Sequence, residues 1–225
     1  MRPATRTILP VAVTGADNIP TEGPAIIAAN HLSFFDTVAL IGAMPRPISF
    51  LGKAEYIDGW KTRYLFPAMG MIPIERRSGK AAFEALDAAM DVLAEGGLLG
   101  IYPEGTRSRD GLLHKGRTGV ARLAMASGAP VIPIGLVGTD RVQAPGQRVP
   151  RPFRPCVVNV GTPIATTGLN VPYRSGPGGY RRLTDDVMAA ITALSGQTYV
   201  GRYADLPPRT RNDQPNPDRT PVPAA

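Results

Sequence analysis

Residues 80–102, KAAFEALDAAMDVLAEGGLLGIY, decide the fold class. Phe83, Leu86, Met90 and Leu93 recur at spacings of 3, 4 and 3, which lays them on one face of a helix. Gly96-Gly97 stops that helix. Residues 98–102 then form an apolar run between glycine and Pro103, read as a buried strand. A helix feeding a buried strand is the repeating unit of an α/β sheet.

The alternation extends in both directions. Residues 24–29 read as the first buried strand, 33–44 as a helix stopped by Pro45, and 48–51 as a short strand. Residues 71–74 follow as a strand despite Pro73. A second amphipathic helix over 116–127 is stopped by Gly128, strands follow at 131–137 and 156–160, and a last helix over 180–194 ends at Gly196. Pro73 and Pro133 fall inside strand-like runs, which implies sheet edges, bulges or mixed strand direction. The expectation is one α/β domain over residues 1–200, a mixed, mostly parallel sheet flanked by helices. Residues 201–225 form a Pro-rich tail, with six prolines after residue 205, and are expected to be disordered.

The chain has 225 residues, 43% of them hydrophobic, a net charge of +7 and a pI near 9.9. That charge favours an anionic partner. Between Asp140 and Asp185 no acidic residue occurs, while Arg141, Arg148, Arg151, Arg154, Arg174, Arg181 and Arg182 do. This stretch suits either lipid head groups or the phosphates of a large cofactor. Nucleic acid is excluded as the expected partner, because aromatics are only 6% of the chain and do not interleave with the arginines. The single cysteine, Cys156, lies in an apolar run and allows no internal disulfide. The sequence has no run of about 18 apolar residues, and its start does not read as a signal peptide. Any membrane contact is therefore expected to be peripheral, on the cytoplasmic face.

Two motifs carry chemistry. In Asn30-His31-Leu32-Ser33-Phe34-Phe35-Asp36 an imidazole and a carboxylate lie five residues apart. On one continuous helix they would point about 140° away from each other. They meet if His31 precedes the helix, with Ser33 as its N-cap and Asp36 at its third position. Asp36 then sits in the positive end of the helix dipole and accepts from one ring nitrogen, leaving the other to take a proton. The chain has only two histidines, so His31 is the first candidate base and His114 the second.

The second motif, Tyr102-Pro103-Glu104-Gly105-Thr106-Arg107-Ser108, follows a strand, the usual position for sites in α/β sheets. Gly105 permits close approach of a ligand to the backbone. Arg107 offers a planar fork for phosphate oxygens and Thr106 a hydroxyl donor. Glu104 either holds Arg107 or accepts from a substrate hydroxyl. Arg76 ends another short strand, and Lys115 follows the Arg107 loop; either supplies a second cation. No metal site is read from these residues.

In this order the chain carries Asn30-His31-Leu32-Ser33-Phe34-Phe35-Asp36, Gly70-Met71-Ile72-Pro73-Ile74-Glu75-Arg76, Tyr102-Pro103-Glu104-Gly105-Thr106-Arg107-Ser108 and Val131-Ile132-Pro133-Ile134. In these four blocks it resembles the lysophosphatidate/glycerol-phosphate acyltransferase family, over about residues 8–165. The resemblance implies a glycerolipid acyltransferase-like fold. It implies transfer of a fatty acyl group from acyl-coenzyme A or acyl-carrier protein to the hydroxyl of 1-acylglycerol 3-phosphate (lysophosphatidate), giving phosphatidic acid. His31 would be the base and Asp36 its orienting partner. Arg76, Glu104, Gly105, Thr106 and Arg107 would shape the acceptor site, with the arginines on its phosphate. A thioester is already activated, so no cofactor beyond the acyl donor is expected.

Two departures from the family pattern stand out. Tyr102 replaces the usual Phe. The hydrophobic N-terminal helices common in the family are not read here, which moves the lipid-facing role to the aromatic and basic segment 56–66. A Gly-x-Ser-x-Gly elbow, a Walker loop and a dinucleotide fingerprint are absent from the sequence. The competing readings are the same chemistry on glycerol 3-phosphate, a lysophospholipid or a glycolipid, and a lipid-binding protein without catalysis.

Overall fold

The computed structural model describes residues 10–53, 70–74, 81–147, 149–151, 153–168 and 172–205. The strands are β1 (Val11–Thr14), β2 (Ala25–Ala29), β3 (Ile48–Lys53), β4 (Met71–Ile74), β5 (Leu98–Ile101), β6 (Leu113–His114), β7 (Val131–Val137), β8 (Cys156–Val160) and β9 (Tyr199–Val200). The helices are α1 (Phe35–Ala43), α2 (Ala81–Ala94), α3 (Gly119–Ser127), α4 (Thr139–Val142) and α5 (Pro177–Ser195). Seven strands form one sheet in the order β1-β8-β7-β2-β5-β3-β4, and β6 pairs with β9 in a small second sheet.

The expected mixed, mostly parallel sheet is present. Among the described residues, only the β7–β8 strand pairing is antiparallel; the other strand pairings in the main sheet are parallel. Both prolines are accommodated as their strands require. Pro73 lies on β4, at the sheet edge. Pro133 lies on central β7, where the β8 ladder begins only at Ile134↔Val160 and the next contact is the Val131↔Ile164 bridge. Its missing N–H therefore falls in a break of the ladder, and its carbonyl accepts from the Gly161 N–H at 2.9 Å.

β2 is buried on both faces, which is why it reads as an unbroken apolar run. Alternation sends Ile27 toward a core with Leu40, Ile132 and Ile134, on the α1 side. It sends Ile26 toward Leu99, Leu183, Met188 and Ile191, under α2, α3 and α5. Truncating either isoleucine to alanine is expected to cost about 2–5 kcal/mol.

Three strands escaped the sequence reading: β1, and the two-residue β6 and β9 of the small sheet. β1 precedes β2 and pairs with β8 at the sheet edge. It has four residues with alternate half-burial, too weak a local signal to distinguish it from a loop. The predicted N-cap is also displaced: α1 begins at Phe35, with Phe34 as its cap residue. Segment 56–66 and residues 206–225 of the predicted tail lie outside the described residues. Among the described residues, no helix is long and apolar enough to cross a membrane.

The topology sets the site. β2, β3, β5 and β7 run parallel, so their C-terminal ends share one sheet edge. Asn30-His31 leaves β2 there, Tyr102 to Ser108 leaves β5, and Gly138 with α4 leaves β7.

Candidate active site

His31 lies in the loop before α1, so its ring reaches Asp36 in the first helical turn. Asp36 Oδ2 accepts from His31 Nδ1 at 2.8 Å and from the N–H groups of Leu32 and Ser33 at 2.6 and 2.7 Å. The capping box is half built. Asp36 reaches back to the Ser33 N–H, but the Asp36 N–H donates to the Ser33 carbonyl at 3.3 Å. Ser33 Oγ instead accepts from the Phe35 N–H at 3.2 Å and donates to the Gln143 carbonyl at 2.8 Å. The helix starts late, so Asp36 stands one position nearer its cap than expected.

Asp36 is fully buried, and His31 retains 17% side-chain exposure. A carboxylate accepting at Nδ1 places the proton of the neutral ring there and leaves the Nε2 lone pair for a substrate proton.

The two motifs clasp each other through His31's backbone. Its N–H donates to Glu104 Oε1 at 3.1 Å, and its carbonyl accepts from the Ser108 N–H at 2.7 Å. Glu104 Oε2 accepts from the His114 N–H at 2.9 Å. Glu104 is therefore a buried brace between two loops, not the partner of Arg107. Burial pushes its carboxyl up from 4.5 to about 7, against the lowering effect of the two N–H donors.

Asn30 fixes the end of β2. Its side chain exchanges hydrogen bonds with the Leu136 backbone at 2.9 and 2.7 Å and donates to Gln197 Oε1 at 2.7 Å. Tyr102 stacks on the His31 ring, centroids 3.9 Å apart and planes 9° from parallel. Its hydroxyl pairs with Thr37 Oγ1 at 2.9 Å. Burial, and secondarily the nearby Asp36, hold that phenol well above its ordinary value.

Arg107 and Gly105 are exposed, and Thr106 is half-buried. Gly105 has φ +75°, and a Cβ there would stand 3.0 Å from Arg117 Nε. Glycine thus permits both the turn and the close approach of a second guanidinium. Lys115 and Arg117 both lie over the Tyr203 ring, at 5.5 and 5.4 Å from its centroid. Arg76 lies outside the described residues.

His114, the second candidate base, is 6% exposed. Its Nε2 meets Asp110 Oδ1 at 3.0 Å, and its Nδ1 is buried without a partner. Burial raises the Asp110 carboxyl, but the bonds from His114, Leu112 and Ser108 together outweigh it and hold the group down at about 2. This pair braces the loop and presents no open ring nitrogen.

Sequence reasoning missed Arg117, Gln143, Gln197 and the Tyr102 stack. Arg117 had a signal, since it lies two residues after Lys115. The glutamines had none, because their partners are 110 and 167 residues away.

Comparisons with known proteins agree with this architecture. A model of the family described as Acyltransferase matches residues 10–137. A chloroplastic 1-acyl-sn-glycerol-3-phosphate acyltransferase of Arabidopsis thaliana is 30% identical over 141 residues, 60% of this chain and 38% of that one. A 1-acyl-sn-glycerol-3-phosphate acyltransferase of Borreliella burgdorferi is 32% identical over 130 residues, 58% of this chain and 52% of that one. The matched region thus spans about half or less of those relatives. The crystal structure of the 1-acyl-sn-glycerophosphate acyltransferase of Thermotoga maritima superposes with a TM-score of 0.64 at 24% identity, covering 82% of this chain and 70% of that one. That likeness establishes the fold. With the family match running through both site motifs and over more than half its length, the chain belongs to the acyltransferase family.

Proposed function

We propose that the protein transfers a fatty acyl group from a thioester, acyl-coenzyme A or acyl-carrier protein, to the free hydroxyl of 1-acylglycerol 3-phosphate. The product is phosphatidic acid. The observation that carries the reading is the His31–Asp36 pair at 2.8 Å, in a loop clasped to the Arg107 loop. The names of the relatives support the acceptor.

In the reaction, the acceptor hydroxyl attacks the thioester carbonyl as His31 Nε2 takes its proton. Asp36 stabilises the imidazolium that forms. The tetrahedral intermediate collapses, the C–S bond breaks, and the leaving sulfur takes the proton back from His31. An ester and a free thiol result, with no acyl-enzyme and no resident cofactor. Arg107, with Arg117 beside Gly105, binds the acceptor's phosphate; Arg76 and Lys115 add positive charge, and Thr106 donates a hydrogen bond. The acceptor is a lipid, so the chain works at an anionic membrane surface, peripherally and on its cytoplasmic face.

The test is thiol release from palmitoyl- and oleoyl-coenzyme A with lysophosphatidate, glycerol 3-phosphate or a neutral monoacylglycerol, with His31→Ala as control. Release that requires lysophosphatidate and His31 supports the proposal. Release with another acceptor changes the substrate and keeps the chemistry. Undiminished release by a folded His31→Ala protein overturns the mechanism.

A further inference from the structure

Val149 and Phe153, at 76% and 67% exposure, are the most exposed of the large hydrophobic side chains among the described residues. Both stand in the connection from α4 to β8. Arg151 and Arg154 are exposed next to them in the chain, Arg141 is exposed on α4, and no acidic residue follows Asp140 until Asp185. Phe153 has φ +62°, the left-handed region that bulky side chains rarely occupy. A strained backbone thus holds an apolar ring out in water, which gives the isolated chain no packing in return.

The connection is braced, and it lies at the site's edge of the sheet. β7 ends at that edge, and β8, antiparallel to it, begins there. Ser33 Oγ, beside His31, donates to the Gln143 carbonyl at 2.8 Å. The Arg151 N–H donates to the Val142 carbonyl at 2.7 Å, and Gln143 Nε2 to the Gln147 carbonyl at 3.0 Å. Apolar tips flanked by arginines match the interface of a bilayer, where acyl chains lie beneath phosphates.

We infer that this connection is a bilayer-docking wedge: Val149 and Phe153 enter the interface of an anionic membrane while Arg151 and Arg154 engage lipid phosphates. Docking there sets the His31 edge of the sheet against the surface from which a lipid acceptor comes. That last link rests on the proposed activity; the docking itself rests on the connection alone.

The experiment measures binding of the full chain to vesicles of phosphatidylcholine, with and without phosphatidylglycerol. Val149→Ser/Phe153→Ser is expected to weaken binding to both by about tenfold. Arg151→Gln/Arg154→Gln is expected to weaken binding to anionic vesicles alone, by about fivefold per arginine. Both pairs are exposed, so the melting temperature should not move. In a Trp60→Phe background, Phe153→Trp should shift its emission to the blue on anionic vesicles. Acyl transfer by Val149→Ser/Phe153→Ser is expected to fall with acceptor embedded in vesicles and to hold with a short-chain, water-soluble acceptor. Unchanged vesicle binding, or an equal loss with both acceptors, overturns the wedge. If no acceptor is acylated, the activity fails while the binding measurements still decide the wedge.

Discussion

Tyr102 lies flat on the His31 imidazole at 3.9 Å, and Phe50 in turn stacks on Tyr102 at 6.0 Å and 17°. The chain of contacts begins at a glycine. A Cβ on Gly100 would stand 2.2 Å from the Phe50 ring, so β5 must carry glycine for Phe50 to lie across it. The core of the sheet thereby sets the plane of the His31 ring.

Tyr102→Phe keeps the stack and loses only the Thr37 hydrogen bond. It is expected to cost about 1 kcal/mol of stability and to leave kcat within about threefold. Tyr102→Leu loses the flat support, and kcat should fall about tenfold or more with acceptor KM little changed. Steady-state kinetics of both variants decide; equal kcat values would mean the stack does not position His31.

Asp36→Asn preserves an oxygen acceptor but removes the charge that stabilises the imidazolium. By analogy with other His–carboxylate pairs, kcat is expected to fall by about three to four orders of magnitude. Circular dichroism should remain native. Asp36→Ala also strips the Leu32 and Ser33 N–H groups of their acceptor, each worth about 1–3 kcal/mol, and its melting temperature should drop.

Glu104 makes stability depend on pH. Its carboxyl is raised from 4.5 to about 7, so the folded chain holds a proton that the unfolded chain has released across that interval. Stability should therefore fall as pH rises through this window, by about 3 kcal/mol in all, and level off above it. Asp110, held near 2, titrates below the window. Urea unfolding at a series of pH values should show the slope in the parent and lose it in Glu104→Gln. A slope of the same size in Glu104→Gln would assign it to another group.

Arg107→Ala should raise the acceptor KM by about tenfold or more and alter kcat little, because the phosphate is bound alike in ground and transition states. Arg117→Ala should act in the same direction. An acceptor KM that ignores Arg107 would move the phosphate site elsewhere.

Cys156 is buried, and burial pushes its thiol up to about 11. Labelling by a thiol reagent near neutral pH should be slow in the native chain and rapid in denaturant. Rapid native labelling would mean that β8 opens readily.

Much of the fold was legible because its signals are local. The helical spacing of Phe83, Leu86, Met90 and Leu93 and the stops at Gly96, Gly128 and Gly196 each need only a few neighbours to read. The His31–Asp36 pairing was legible for the same reason: five residues and a helix start are enough to bring the groups together. β1 was not, since a four-residue edge strand becomes one only by pairing with β8, far along the chain.

The residue types and their order determined the α/β alternation, the buried character of β2, the pairing of the His31 imidazole with the Asp36 carboxylate and the presence of an arginine-bearing loop. Tertiary structure alone decided how the two motifs meet each other and the rest of the chain. It made Glu104 a brace between His31 and His114, laid Tyr102 on the imidazole, joined Ser33 to Gln143 and brought Arg117 to Gly105. Periodicity records which face of an element is buried. Partners separated by tens of residues are chosen by strand order and packing, which leave no trace in local spacing.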